Sequence, residues 1–324
     1  MTVTESSPRQ GYHERLRTLS EASVHQHFDA FLDIDWDHPD YAIRTDDERW
    51  ILGEEDPLGA HPWYRALPRE RQIEIGIKRW ALICKVGLQF EQLLIGGIMW
   101  DNLKRPNGNP EFRYSTHEAT EECHHTQMFQ EFANRSGVDP SGVPAWFRRA
   151  IPLLATFGYW FPAGFWMGVL AGEEPIDHLQ KGLLRAGREL PPLLERIVSI
   201  HVAEEARHIG FAHTYLAEHI GELPLVQKVA MHALTPLFMR LMCDIIMKPS
   251  REAVAAMGIP ERVAREVWWD SPASERFLRH IFGDVRMLCD GLGLRTRLTR
   301  PLWRLMGIEG RPSRFRSEPA AASS

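Results

Sequence analysis

The stretch HVAEEARHIGFAH, residues 201–213, sets His201, Glu205 and His208 four and three positions apart. At that spacing the three side chains project from one face of an α-helix. The face continues through Leu194, Val198, Ala212 and Tyr215, so it looks toward an apolar interior. An ionisable trio there needs compensation, because a buried charge is costly unless it is paired or neutralised. A proton-sharing network or a metal ion can supply it.

Other segments offer acids in comparable surroundings. In GLQFEQLLIGG, Glu91 shares its face with Cys84, Gly87, Leu88, Leu94, Ile95 and Ile98, while Lys78, Arg79, Lys85 and Gln89 occupy the polar side. In EATEECHHTQMFQEFA two Glu-x-x-His pairs overlap. Glu122 with His125 lies on the stripe of Ala119, Phe129 and Phe132, whereas Glu121 with His124 shares its side with Glu118 and Glu131, so the first pair is preferred. In VLAGEEPIDHL, Glu173 sits over Trp166, Val169, Leu170 and Ile176 and is favoured over Glu174, although Pro175 can rotate both. On the HVAEEARH helix only Glu205 makes the Glu-x-x-His spacing with His208; Glu204 does not. The set is then Glu91, Glu122, His125, Glu173, His201, Glu205 and His208. Carboxylates and imidazoles in these numbers suit a pair of iron or manganese ions, whereas a structural zinc site favours thiolates.

The elements that must hold these residues are helices. Helical period runs over about 14–33, 69–104, 115–136, 145–185 with proline kinks, 189–219, 223–248 and 272–291, with an extended Pro/Asp-rich segment at 34–68. No strand-like alternation, repeat, phosphate loop or nucleophile elbow appears, so the expected architecture is an all-α bundle. Residues 1–12 and 309–324 are expected to be flexible ends around a single helical domain at 13–308. The uncharged stretch 151–172 is long enough to span a bilayer, but prolines and glycines interrupt it, and a buried core helix is expected rather than a stable membrane span.

Composition excludes other classes. A net charge of −5 without a basic stripe argues against nucleic acid. Cys84, Cys123, Cys243 and Cys289 form no CxxC and read as reduced core thiols. The polar start lacks an apolar leader, so a cytoplasmic location is expected.

The ligand segments FEQLL at Glu91, EECHHTQM at Glu122 and His125, GEEPID at Glu173, and HVAEEARH at His201, Glu205 and His208 together resemble the AurF-like di-iron N-oxygenases, the p-aminobenzoate N-oxygenase group. The third histidine, His201, is what distinguishes this family from common two-histidine ferritin-like sites. The likeness spans roughly residues 40–290 and is loose outside the ligand helices, and the acid before each Glu-x-x-His is Glu121 and Glu204 where the family usually has Asp. The resemblance implies a ferritin-like four-helix core with additional N- and C-terminal helices. It also implies two iron ions, with manganese as the alternative, O₂ as co-substrate, an external electron donor, a small-molecule substrate and a homodimer. The implied reaction is N-oxygenation of an arylamine; hydroxylation of an apolar or lipid-like substrate and a ferroxidase are the alternatives.

Glu121 and Glu204 each precede a ligand glutamate, so each turns about 100° from the metal face. In related bundles such an acid serves the histidine of the other motif, which pairs Glu204 with His125 and Glu121 with His208. Phe90, Phe129, Trp160, Phe165 and Trp166 are candidates to line a pocket.

Overall fold

A computed structural model describes residues 8–318; among them no strand occurs. In chain order the helices are α1 (Pro8–His25), α2 (Pro62–Arg65), α3 (Arg69–Asn102), α4 (Pro110–Arg135), α5 (Ala145–Ala155), α6 (Phe157–Trp160) and α7 (Pro162–Arg185). They continue as α8 (Pro192–His219), α9 (Leu225–Met247), α10 (Arg251–Ala256), α11 (Glu261–Val267), α12 (Pro272–Ile281), α13 (Gly283–Gly291) and α14 (Arg300–Leu305). The all-α, ferritin-like expectation holds. The core pairs α3 with α4 and α7 with α8, while α1 and α9 pack on the outside of these pairs.

Local chemistry starts these helices. Pro110, Pro162 and Pro192 stand in the first turn, where the missing N–H costs nothing, and the Asn109 side chain accepts from Glu111 N at 2.7 Å. Glycine lets the layers close. A β-carbon at Gly172 would meet the Phe90 ring at 2.0 Å, and one at Gly97 would meet Phe165 at 2.0 Å.

Several boundaries differ from the sequence reading. The first helix begins at Pro8 and ends at His25 instead of running to residue 33. Asp29 caps the next turn, accepting from Phe31 N and Leu32 N at 2.8 and 3.0 Å, and this local Asx geometry competes with helix. The turn also frees Phe28 N to donate to Glu204 Oε1 at 3.1 Å. The single expected helix at 145–185 is three, broken around Thr156 and ahead of Pro162. The stretch 151–172 is therefore not one buried core helix, and part of its surface is exposed. The expected helix at 272–291 breaks at Phe282 into α12 and α13.

Of the ends expected to be flexible, residues 1–7 and 319–324 lie outside the described residues, but the inner parts are held. Residues 8–12 belong to α1. Glu318 accepts from Arg311 Nη2 and Arg314 N at 2.8 and 2.7 Å, and Lys181 of α7 donates to Ser317 Oγ at 2.9 Å. The four cysteines are unpaired; Cys123 is exposed, so only Cys84, Cys243 and Cys289 are core thiols. By length and composition α3 and the stretch Leu225–Ala256 could cross a membrane, but α3 is mostly packed inside the protein.

Candidate metal centre

Two antiparallel helix pairs bring every sequence-predicted acid and imidazole to one buried place. Glu91 comes from α3, Glu122 and His125 from α4, Glu173 from α7, and His201, Glu205 and His208 from α8. All seven are at most 3% exposed. Ligand-capable atoms lie within 4.8 Å of one another in three overlapping groups: Glu91, His125, His201 and Glu205; Glu122, His125, Glu205 and His208; and Glu91, Glu122 and Glu173.

Glu122 reaches both motif histidines, with Oε2 2.9 Å from His125 Nδ1 and Oε1 2.7 Å from His208 Nδ1. Glu205 Oε1 lies 3.5 Å from each of those nitrogens and 3.3 Å from His201 Nε2. Glu91 Oε1 stands 3.7 Å from His201 Nε2. These acids thus stand between imidazoles, and the grouped oxygen and nitrogen atoms could hold cations.

Eight buried atoms in this cluster have no hydrogen-bond partner in the protein: Glu91 Oε2, Glu122 Oε1, both oxygens of Glu173 and of Glu205, His201 Nε2 and His208 Nδ1. The short Glu122–His208 contact lacks hydrogen-bond direction, which is why both of its atoms appear among them. Leaving one such group unpaired costs about 1–3 kcal/mol, so eight together cannot be a neutral packing detail. Oxygen and imidazole donors pointed into one space fit divalent cations.

The family described as P-aminobenzoate N-oxygenase AurF matches residues 9–293. The chain belongs to that family. It is an oxygenase family, so the chain is placed among the oxidoreductases, and the buried carboxylate–histidine cluster fits the di-iron character of the family. An uncharacterised protein of Mycobacterium tuberculosis (strain H37Rv) is 49% identical over 308 residues, covering 95% of this chain and 91% of the relative. An uncharacterised protein of Mycobacterium bovis is equally similar over the same shares. No solved structure matches the chain.

Within this AurF-family centre, the acids one position before each ligand glutamate make the cross-helix contacts expected from the sequence. Glu204 Oε2 lies 2.8 Å from His125 Nε2, and Glu121 Oε2 lies 2.7 Å from His208 Nε2. Each acid accepts the outer ring N–H and leaves Nδ1 facing inward. Arg207, which sequence reasoning missed, donates to Glu121 Oε1 at 2.9 Å and to Glu204 Oε1 at 3.4 Å, serving both acids with one guanidinium. Its only local signal was the three-residue spacing from Glu204 on α8. Gln180, also missed, sits 2.7 Å from His201 Nδ1 and turns Nε2 toward Glu91 and Glu205. Glu174 is drawn away to His213 at 2.8 Å, which leaves Glu173 as the inward residue.

Protonation follows from crowding. Burial, then Glu122 and Glu205, push Glu91 well above the usual carboxylate range, and burial with Glu205 does the same for Glu173. Against burial, His208 and His125 hold Glu122 well below that range. Against the same penalty, Glu122 raises His125 to about 10 and His208 well above the usual imidazole value. Burial dominates at His201, which falls to about 4 and is neutral, its Nε2 lone pair free to bind. Glu118 is a further surprise. Sequence facing set it on the outer side of α4, yet it is fully buried without a hydrogen-bond partner, and burial raises its pKa strongly.

Beside His201 lies a cavity of about 20 Å³, room for roughly one water. Its apolar walls include Ile83, Phe90, Phe129, Ile176 and Ile246, its polar groups are Glu91, Gln180 and His201, and no lysine or arginine lines it. Of the aromatic candidates only Phe90 and Phe129 line this cavity. Phe165 packs on Gly97, Trp166 Nε1 reaches Asp101 Oδ2 at 3.3 Å, and Trp160 is exposed.

The outer contacts make a testable point. Glu204→Gln keeps the shape but removes the anion that holds the His125 tautomer, so metal affinity should fall about 10–100-fold. Competition against a chelator of known affinity measures it; unchanged affinity would leave Glu204 with no role beyond packing.

Proposed function

We propose that the protein is a di-iron oxygenase that transfers an oxygen atom from O₂ to the nitrogen of a small arylamine, taking electrons from an external donor. Glu91, Glu122, His125, Glu173, His201, Glu205 and His208 hold the two ions, iron by preference and manganese as the alternative. The observation that carries this reading is the set of unpartnered buried donors gathered in an oxygenase-family chain. When bound, a reduced di-iron pair supplies the electrons that activate O₂.

The chain's own residues do the rest. Glu204 and Glu121, as anions, orient His125 and His208 and raise their basicity; Gln180, being neutral, orients His201 without that push. His201 would thus be the weakest imidazole donor of the three. Ile83, Phe90, Phe129 and Ile246 exclude water beside His201, and they must shift to admit an aromatic ring. A substrate carboxylate placed there would be buried close to Glu91 with no lysine or arginine to meet it. An uncharged arylamine avoids that penalty.

The test is turnover of the iron-loaded protein with O₂ and a chemical reductant, read by mass spectrometry. Anilines without a carboxylate should give N-oxygenated products at least about tenfold faster than p-aminobenzoate does, since a buried unpaired anion costs more than the 1.4 kcal/mol a factor of ten represents. Carbon-hydroxylated products from apolar substrates, with amines untouched, would replace this reading with that of a hydroxylase.

A further inference from the structure

The outer side of α5 and α6 is unusual for a surface. Trp146, Leu153 and Trp160 are 56%, 71% and 71% exposed, and with Arg149 and Phe157 they form one stripe down the two helices. The stripe continues onto the end of α3. The Trp100 ring meets Tyr159 edge-on at 6.2 Å, Tyr159 meets Trp160 at 4.8 Å, and Lys104 Nζ lies 4.2 Å over the Tyr159 ring. Leu103 beside them is also largely exposed.

The inner side of the same helices cannot turn to hide these residues. Gly158 sits so close to the α3 backbone that a β-carbon there would lie 2.0 Å from Gly97 O, and one at Gly96 would touch Ala155 at 3.2 Å. With that seam fixed, the indoles and leucines must face outward. Charge then narrows what can cover them. From Pro140 to Gly172 the chain contains no Asp or Glu, and its only cations are Arg148 and Arg149, both exposed.

The geometry points to a phospholipid bilayer surface with anionic headgroups as the partner of this face. Indole and phenol rings with a polar edge suit the depth of the headgroups, leucine and phenylalanine tips reach just below them, and Arg148, Arg149 and Lys104 meet the lipid phosphates. A second copy fits less well. A two-fold contact through this patch would set Arg149 against its own counterpart with no acid from 140–172 to neutralise it, while Arg148 lies at the edge of the face, in a surface pocket it shares with Glu252. Attachment is peripheral, since α5 and α6 are too short to span. The docked face lies close to the metal-binding core, because Gly97 is six residues along α3 from Glu91, about 9 Å of helix rise.

Flotation of the metal-loaded full chain with vesicles tests this, using phosphatidylglycerol–phosphatidylethanolamine vesicles against pure phosphatidylcholine. The protein should float with the anionic vesicles, and raising salt from about 50 to 500 mM should weaken the association. The triple variant W146A/L153A/W160A and the charge reversal R148E/R149E should each reduce binding at least about tenfold while keeping the helical circular dichroism and metal content of the parent. Failure to float with anionic vesicles overturns the proposal, as does binding by both variants equal to that of the parent. Light scattering adds an independent outcome: a dimer of the parent that becomes a monomer in the triple variant, without vesicle binding by either, assigns the face to a second copy instead.

Discussion

Glu205→Ala is expected to reduce bound metal from about two ions per chain to a small fraction of one, and Glu122→Ala to do the same. Glu205 alone approaches all three imidazoles, at 3.3 Å from His201 and 3.5 Å from His125 and His208, so no other acid can stand in for it. Glu122 touches both motif histidines, which hold it well below the usual carboxylate range against burial. Removing Glu205 relieves repulsion with Glu91 and Glu173, so the metal-free protein should lose little stability, whereas removing Glu122 also strips His125 and His208 of their nearest carboxylate and should lower it. The loss shared by both variants appears on adding metal. Ligand binding at a thousand times Kd contributes about 4.1 kcal/mol, and this gain in thermal stability should vanish in both variants. Elemental analysis after gel filtration, with exposed Glu195→Ala as control, gives the reading. Two ions retained in either variant would remove that residue from the ligand set.

Arg207→Met should have the largest effect on the fold itself. The guanidinium is the cation shared by Glu121 and Glu204, and it also donates to Gln26 O at 2.9 Å, tying the chain after α1 to α8. Methionine fills similar space but leaves two buried carboxylates facing each other, and breaking a buried ion pair from one side costs about 3–5 kcal/mol. Urea unfolding at fixed metal concentration should show that loss, with Arg207→Lys intermediate because lysine keeps the positive charge but not the planar guanidinium that packs between the two acids. A change below about 1 kcal/mol would mean that His125 and His208 alone balance Glu121 and Glu204.

The two predictions differ in how far the sequence foreshadowed them. Glu122 and Glu205 announce themselves by helical period: each lies on an apolar stripe, three positions before a histidine on the same face. Period also separated Glu91 from its polar neighbours and turned Glu121 and Glu204 about 100° from the metal face, while their pairing with His208 and His125 came from the likeness to related bundles. Arg207 and Gln180 gave no such signal. Apart from Glu204, three residues before Arg207 on α8, their partners sit on other helices or, for Gln26, in a loop, and local spacing says nothing about a residue many tens of positions away.

By itself, then, the sequence determined what one helix can know of itself: which face is apolar, which ionisable groups that face carries, and the chemistry their types allow. The rotation and register of helices against one another decided the rest. They buried Glu118, which its own helix seemed to place outside, and sent Glu174 to His213 while leaving Glu173 at the centre. They also fixed α6 between the breaks around Thr156 and ahead of Pro162, where Gly158 closes on the α3 backbone, so that a stretch apolar enough to look like core left Leu153 and Trp160 on the surface. Such outcomes depend on side-chain volumes and backbone approach between distant segments, and no window along a single helix contains them.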